Sequence, residues 1–394
     1  MGEFDFATRR RFLAASAAAA SALAGCTGDT GEDGTTTDGT TTTRATTAAS
    51  SADFDIETFQ GSGRLAENRP ELSGTRIEDL PDLSGTLDVY LGGGEGGLYR
   101  DLLDRFRDIY PDLELKVRSA PSAQFANTIV EEAKGGGSQA DVFWAVDAGS
   151  LSYVAEQGVA AQFSGDVAES VPQQFRPDNR WVGVAGRARA IPYNTDKLSA
   201  DDIPSDVLAF AESEALAGSM GWAPTYGAFQ SFVTAMRVQN GEERTKEWLR
   251  GMLDQNVTEY PDEFLTANAV ADGEIAAGFA NHYYVLRVLA SRPNAPIDLA
   301  FTRNDAASLI NVSGAQLIEG ADDRDLAENF VRHLLTVEAQ EFFATTTYAY
   351  PMIPGVPPVG GLPTIDELSP PDIDLQKLSN LEPTLRLMRE VGVL

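Results

Sequence analysis

The sequence contains a single cysteine, Cys26, only two histidines and only five lysines. One cysteine excludes an intrachain disulfide and any zinc site built from several cysteines. Basic residues number 30 against 59 acidic ones, which gives a formal net charge of -29. Nucleic acid is therefore excluded as an expected partner, because phosphate backbones are bound by basic surfaces. The Ala-rich apolar run at residues 13–23 is shorter than the ~20 residues that a membrane-spanning helix needs.

The acidic excess is spread over an otherwise globular composition. Hydrophobic residues make up 43% of the chain in a periodic pattern, which a disordered acidic chain would not show. A high charge of one sign keeps a protein soluble in strong salt, as in halophilic proteins. We therefore expect a folded, halophile-like protein, and a length of 394 residues leaves room for two domains.

The N-terminus carries the features of an export signal. Residues 8–13 (TRRRFL) resemble the twin-arginine motif, and residues 23–26 (LAGC) resemble a lipoprotein processing site. We expect residues 1–26 to be a signal whose Cys26 receives lipid and holds the protein at the outer face of the cytoplasmic membrane. The alternative is that Cys26 is an incidental small residue near a cleavage site. Residues 27–83 are polar and at first Thr-rich, which predicts a flexible stalk.

Apolar strands alternate with amphipathic helices from residue 84 onward, which predicts an α/β fold. Residues 87–91 predict a strand that ends in a glycine-rich turn containing Glu95. Residues 141–146 predict a strand buried on both faces, and Asp147 follows it. Ligands of open α/β sheets bind beside the carboxyl ends of strands, so both acidic residues are candidate site residues.

Two further segments contain groups that bind anions. Arg187 and Arg189 alternate along one extended segment, so both guanidinium groups point to the same face. Facing a cleft they would make an anion site, whereas facing solvent they would be ordinary surface residues. The second segment is a predicted helix start at Tyr226, Gly227 and Ala228, with Thr225 expected to cap it.

The densest group of metal- and anion-capable side chains is at residues 281–284 (NHYY). These residues follow an apolar run and open a predicted helix that continues through Ala290. Taken alone, the two tyrosines could equally be an aromatic pair at a strand-to-helix junction, one ring buried and one exposed.

Several segments occur in the order found in one known family: residues 140–143 (ADVF), 186–189 (GRAR), 193–194 (YN), 223–225 (APT), 227–230 (GAFQ), 281–284 (NHYY), 311–314 (NVSG), 338–340 (EAQ), 350–351 (YP) and 354–356 (PGV). Over residues 84–394 the chain thereby resembles the ferric-ion-binding solute receptors of iron ABC importers. This resemblance implies a two-lobe α/β fold of the type II periplasmic-binding-protein class, with the ligand in the cleft. Lobe one would comprise residues 84–188 and 302–349, and lobe two residues 189–301 and 350–394.

The resemblance also implies a metal site. Tyr283 and Tyr284 would be phenolate ligands of Fe(III), a hard cation that favours such oxygens. Tyr193 matches a third tyrosine ligand of some subgroups, and the alternative is that it is a strand residue at the lobe boundary. Many members have a histidine in the turn after the first strand, where this chain has Gly94 and Glu95. Glu95 would then supply a carboxylate oxygen as a further ligand; the alternative is that the site relies more on the anion or on water. A synergistic anion, carbonate or phosphate, would be bound by Arg187, Arg189, Tyr226, Gly227, Ala228 and Asn281, with His282 and Asp147 as supporting residues.

The function implied by the resemblance is that of a receptor and not of an enzyme. A lipid-anchored monomer would capture Fe(III) and deliver it to an ABC permease and its ATPase. An alternative keeps the receptor but replaces the cargo with an anion or a small organic solute, because the expected histidine is missing. A hydrolase using Glu95 and Asp147 is disfavoured, since no nucleophile elbow or triad accompanies them.

Asp262 and Glu263 replace asparagines common in the family, and we expect them to belong to the acidic surface.

Overall fold

The structure, a computed structural model, describes residues 55–394, apart from the side chains of residues 94–96 and 379. The predicted signal and Cys26 lie outside the described residues. The strands of the described part are β1 (Gly85–Gly92), β2 (Leu113–Ala120), β3 (Val142–Ala145), β4 (Val182–Asn194), β5 (Met220–Trp222), β6 (Thr258–Glu259), β7 (Ala277–Gly278), β8 (Ala280–Asn281), β9 (Ile297–Ala300), β10 (Ile310–Leu317) and β11 (Tyr350–Pro351).

Helices cover the sheet formed by these strands, which confirms the predicted α/β class. The α-helices are α1 (Arg100–Ile109), α2 (Ser122–Lys134), α3 (Ala148–Glu156), α4 (Gly165–Ala168), α5 (Gly227–Asn240), α6 (Glu242–Asp254), α7 (Glu263–Ala271), α8 (His282–Ser291), α9 (Arg324–Leu334), α10 (Val337–Phe342), α11 (Ile365–Leu368) and α12 (Glu382–Val391). None of the helices within residues 55–394 is long and apolar enough to cross a bilayer.

The strands form a mixed sheet in the order β2-β1-β3-β10-β4-β7-β5-β6. β1 pairs in parallel with β2 and β3, whereas β10 lies antiparallel between β3 and β4. β4 is shared by two groups of strands. Up to Ala188 its partners are β10 and β11, and from Arg189 onward they are β7, β8 and β9. Arg187 and Arg189 therefore flank the point at which the partners of β4 change.

β3 shows how the apolar pattern produces the core. Each of its residues is buried, as predicted for a strand covered on both faces. The Trp144 ring stacks on that of Tyr99 with centroids 4.8 Å apart, and its indole N–H donates to the Ser313 hydroxyl at 3.1 Å. Because its side chains are fixed in this way, β3 holds the start of α3 in a defined position beside the sheet.

Residues 55–83 differ from the predicted stalk, because they pack against the core. Phe59, Ile77 and Leu83 are almost completely buried. The Arg69 guanidinium forms two 2.8 Å hydrogen bonds with the carboxylate of Glu341, and both side chains are buried. A few apolar residues and one well-placed arginine dock this polar segment, and its composition alone does not reveal them.

Candidate functional site

A cavity of about 620 Å³ lies at the ends of several strands. Its walls come from the starts of α2 and α3, which follow β2 and β3, and of α5 and α8, which follow β5 and β8. This is the position in which open α/β sheets bind ligands. The predicted site residues that line the cavity are Asp147, Arg187, Arg189, Tyr226, Gly227, Ala228, Asn281 and Tyr283.

Three tyrosines meet beside this cavity: Tyr226 and Tyr283 line it, and Tyr284 packs against both without being part of the lining. Tyr283 and Tyr284 lie in the first turn of α8, where they are 2% and 7% exposed, and their rings are 4.4 Å apart. The hydroxyl of Tyr226, which precedes α5, lies 2.5 Å from that of Tyr284. The guanidinium of Arg287 lies over both rings of the pair, 4.7 and 5.5 Å from their centroids. Phenol groups from two helices and a positive charge are thus brought together.

The Tyr284 phenol is held in its protonated form. Burial raises the pKa of Tyr284 above its ordinary value, and the hydrogen bond with Tyr226 raises this pKa further. A phenol binds a metal ion only after losing its proton. Tyr284 is therefore a poor ligand for weakly polarising cations and a suitable one for a strong Lewis acid, which can displace the proton.

The structure does not bring Tyr193 to this group. Tyr193 lies on β4 four residues beyond Arg189, a distance of about 13 Å along a strand. Its hydroxyl donates to the Asp298 carboxylate at 3.5 Å, and burial together with that carboxylate raises the pKa of Tyr193. Tyr226, expected from the sequence to contact an anion, instead lies beside Tyr284. The signal that could have indicated this was a tyrosine at a strand end, immediately before a helix.

The start of α5 faces the cavity. The residue before its first turn is Tyr226, and Thr225, the expected cap, lies one position earlier. No side chain among the described residues caps this helix, and a Cβ added to Gly227 would meet nothing within 4 Å. The backbone N–H groups of Gly227 and Ala228 therefore remain available to an anion or an oxygen ligand.

The two arginines share one face but differ in their contacts. Arg187 donates from Nη2 to the backbone carbonyl of Val146. Arg189 is 4% exposed, and its Nη1 forms an ion pair with Glu263 and lies 3.3 Å from Oδ1 of Asn281. The expectation that Glu263 belongs to the acidic surface is wrong, because this side chain is completely buried behind Arg189.

Asn281 joins this ion pair to the tyrosines. Its backbone N–H donates to Oε2 of Glu263 at 2.9 Å, and its side-chain Nδ2 donates to the Tyr283 hydroxyl at 3.3 Å. A continuous set of contacts therefore runs from Glu263 through Arg189 and Asn281 to Tyr283. A change in the charge of Glu263 would therefore alter the position and the electrostatic environment of the Tyr283 hydroxyl.

The remaining predicted residues have structural contacts. The Asp147 carboxylate caps α3 by accepting from the Ser150 N–H at 2.7 Å, which leaves it poorly placed for acid–base catalysis in a hydrolase. His282 points away from the cavity, with Nε2 2.7 Å from the carbonyl oxygen of Tyr348. The side chain of Glu95 lies outside the described part of the chain. No cluster of three or more histidine, cysteine, aspartate or glutamate side chains that could hold a metal occurs among the residues described.

Known proteins are similar to this chain in sequence and in fold. The family of bacterial extracellular solute-binding proteins matches residues 93–341. The major ferric iron-binding protein of Neisseria meningitidis serogroup A is 30% identical over 289 residues, which cover 71% of this chain and 86% of that protein. Iron uptake protein A2 of Synechocystis is 31% identical over 281 residues, 66% of this chain and 79% of that protein. Iron-bound HitA from Pseudomonas aeruginosa superposes with a TM-score of 0.66 at 27% identity, covering 78% of this chain and 99% of that one.

Proposed function

The chain belongs to the family of bacterial extracellular solute-binding proteins, and on this premise we propose that it captures Fe(III) outside the cytoplasm and delivers it to an ABC importer. Members of this family are binding receptors and not enzymes. Two similar proteins are named for ferric iron or iron uptake. The observation that carries the proposal is the meeting of three tyrosines, of which Tyr226 and Tyr283 line the cavity and Tyr284 contacts both.

The donor set suits Fe(III) in particular. Fe(III) is a hard cation that favours anionic oxygen, and three phenolates neutralise its three positive charges. The Arg287 guanidinium over the rings of Tyr283 and Tyr284 stabilises the negative charge that develops when these phenols lose their protons. Coordination positions that remain would be filled by water or by carbonate or phosphate at the Gly227 and Ala228 N–H groups, with Arg187 nearby.

Delivery would depend on closure of two lobes about β4. Lobe one would comprise residues 84–188 and 302–349, and lobe two residues 189–301 and 350–394. The partners of β4 change between Ala188 and Arg189, which supports the first boundary, whereas β11 pairs with the lobe-one part of β4 and so places residues 350–351 with lobe one. Closing on the ion would be the signal that the permease and its ATPase recognise, as in other hinged binding proteins.

The receptor would act as a monomer, exported through its twin-arginine signal and anchored by lipid on Cys26. Replacing Cys26 with alanine should release the protein into the medium.

The test of iron capture is a visible absorption band. Phenolate bound to Fe(III) gives a charge-transfer band, so purified protein with iron and bicarbonate should become coloured. The double variant Tyr283→Phe, Tyr284→Phe should lose the band, whereas Tyr193→Phe should keep it. A colourless wild-type protein that binds no iron would refute the proposal.

A second candidate cargo is an anionic organic solute held by the same receptor. A cavity of about 620 Å³ is within the range of sites for small organic molecules, roughly 300 to 1,000 Å³. Two arginines and an uncapped helix start would bind its charged groups. Calorimetry of iron-free protein with di- and tricarboxylates tests this candidate, which predicts heat of binding in the absence of any metal.

A further inference from the structure

The ion pair of Arg189 and Glu263 alters the anion chemistry of the cavity. Arg189 lines the cavity, whereas Glu263 is completely buried behind it and is not part of the lining. The carboxylate of Glu263 also accepts the backbone N–H of Asn281 at 2.9 Å, so both of its oxygens have partners. The pair is therefore fixed in place and carries no net charge.

An anion that approached Arg189 would also approach Glu263. Nη2 of Arg189 is buried and has no hydrogen-bond partner among the described residues, so both of its N–H groups can still donate. The attraction of the guanidinium for a second negative charge is, however, offset by the carboxylate on its other side, because opposite charges at similar distances cancel. The positive charge of Arg189 therefore contributes little to the attraction of an anion into the cavity.

We infer that Glu263 is a specificity-determining residue that takes the place of a free anion at Arg189, so that Fe(III) binding does not require a synergistic anion. The inference rests on the proposed function as an Fe(III) receptor. The three positive charges of the ion are balanced by the phenolates of Tyr226, Tyr283 and Tyr284, and the charge of Arg189 is balanced by Glu263. Through Asn281, the same carboxylate positions the hydroxyl of Tyr283.

The first experiment needs no iron. Phosphate binding to the iron-free protein is measured by calorimetry for wild type and for Glu263→Gln. The glutamine keeps the size of the side chain but leaves Arg189 with an uncompensated charge at the cavity wall. Glu263→Gln should bind phosphate at least about tenfold more tightly than wild type, which corresponds to about 1.4 kcal/mol. Equal affinities in the two proteins would overturn the inference.

Glu341→Gln is the matched control for this variant. Glu341 forms a buried ion pair with Arg69 and is not part of the cavity lining. Its replacement by glutamine therefore also leaves a buried arginine with an uncompensated positive charge, but away from the cavity. Phosphate affinity should be unchanged in this control. A gain of similar size there would show that any broken buried ion pair attracts phosphate, and would overturn the specific role of Glu263.

The second experiment uses wild type alone and therefore does not depend on the folding of any variant. Iron is supplied as ferrous chloride and oxidised by air in buffer depleted of carbonate and phosphate. The visible band should reach the same intensity as with either anion present, and its position should not move. A band that forms only with carbonate or phosphate would overturn the inference and leave iron capture intact. If no band forms under any condition, the proposed function fails, and the iron-free phosphate measurement still decides the role of Glu263.

Discussion

Iron capture by three phenols makes the affinity for Fe(III) depend steeply on pH. Each phenol that binds the ion must release its proton, and an ordinary phenol titrates near pH 10. The pKa of Tyr284 is raised further by burial and by the Tyr226 hydroxyl. At neutral pH the protons are therefore present before binding and are released during it. Affinity should rise with pH and show no plateau below about pH 10.

The number of ligating phenols sets the slope. Release of three protons raises the association constant about a thousandfold per pH unit, or roughly 4 kcal/mol. In Tyr226→Phe the ion can displace only the protons of Tyr283 and Tyr284. The slope should then fall from about three to about two, a hundredfold change per pH unit. Tyr193→Phe, whose hydroxyl contacts Asp298, should keep the slope of wild type.

The slope is measured by competition against a chelator whose own protonation constants are known. The visible band reports the iron-loaded fraction at each pH between about 6 and 7.5, a range in which the slope is expected to be constant. An unchanged slope in Tyr226→Phe would show that this phenol is not a ligand. A lower slope in Tyr193→Phe would show that Tyr193 is a ligand and would refute the choice of Tyr226 as the third phenol.

Three further predictions concern stability. Glu341→Gln leaves Arg69 buried without its counter-charge and should lower the free energy of unfolding by about 3 to 5 kcal/mol in denaturant titrations, whereas Glu131→Gln, in an exposed pair with Lys134, should have no measurable effect. Burial lowers the pKa of His333 to about 4, so the unfolded chain binds a proton that the folded protein does not. Stability should fall by about 3 kcal/mol as pH decreases from about 6.5 to 4, and His333→Gln should remove this part of the acid sensitivity. The net charge of -29 destabilises the compact state by self-repulsion, so the thermal midpoint should rise as salt increases from about 0.1 to 2 M.

Local patterns in the sequence predicted most of the fold. The apolar run at residues 141–146 contains β3 (Val142–Ala145), and the helix expected to start near Gly227 is α5. Both boundaries depend on neighbours in sequence, such as the apolar period of a strand or the free N–H groups of a helix start. The tyrosine pair was likewise visible as two adjacent residues at a strand-to-helix junction.

The partners of that pair were not predictable in the same way. Tyr193 and Tyr226 both precede the pair in sequence, and only the register of β4 and the position of α5 decide which hydroxyl approaches Tyr284. Glu263 follows Asp262 in a strongly acidic chain, and on that composition we expected its side chain to be exposed at the surface. Its burial depends on a single arginine located 74 positions earlier, and no periodic pattern encodes such a contact.

The place of β10 in the sheet determines the order in which the molecule can fold. β3 and β10 are paired although Trp144 and Ser313 are 169 positions apart, and contacts of such long range form late. Until residues 310–317 arrive, the edge of β3 is unpaired and open to other chains. Asn311 reaches the cavity wall together with β10. A partly folded chain therefore lacks one wall of the cavity, and the protein becomes able to bind its cargo only in the step that completes its sheet.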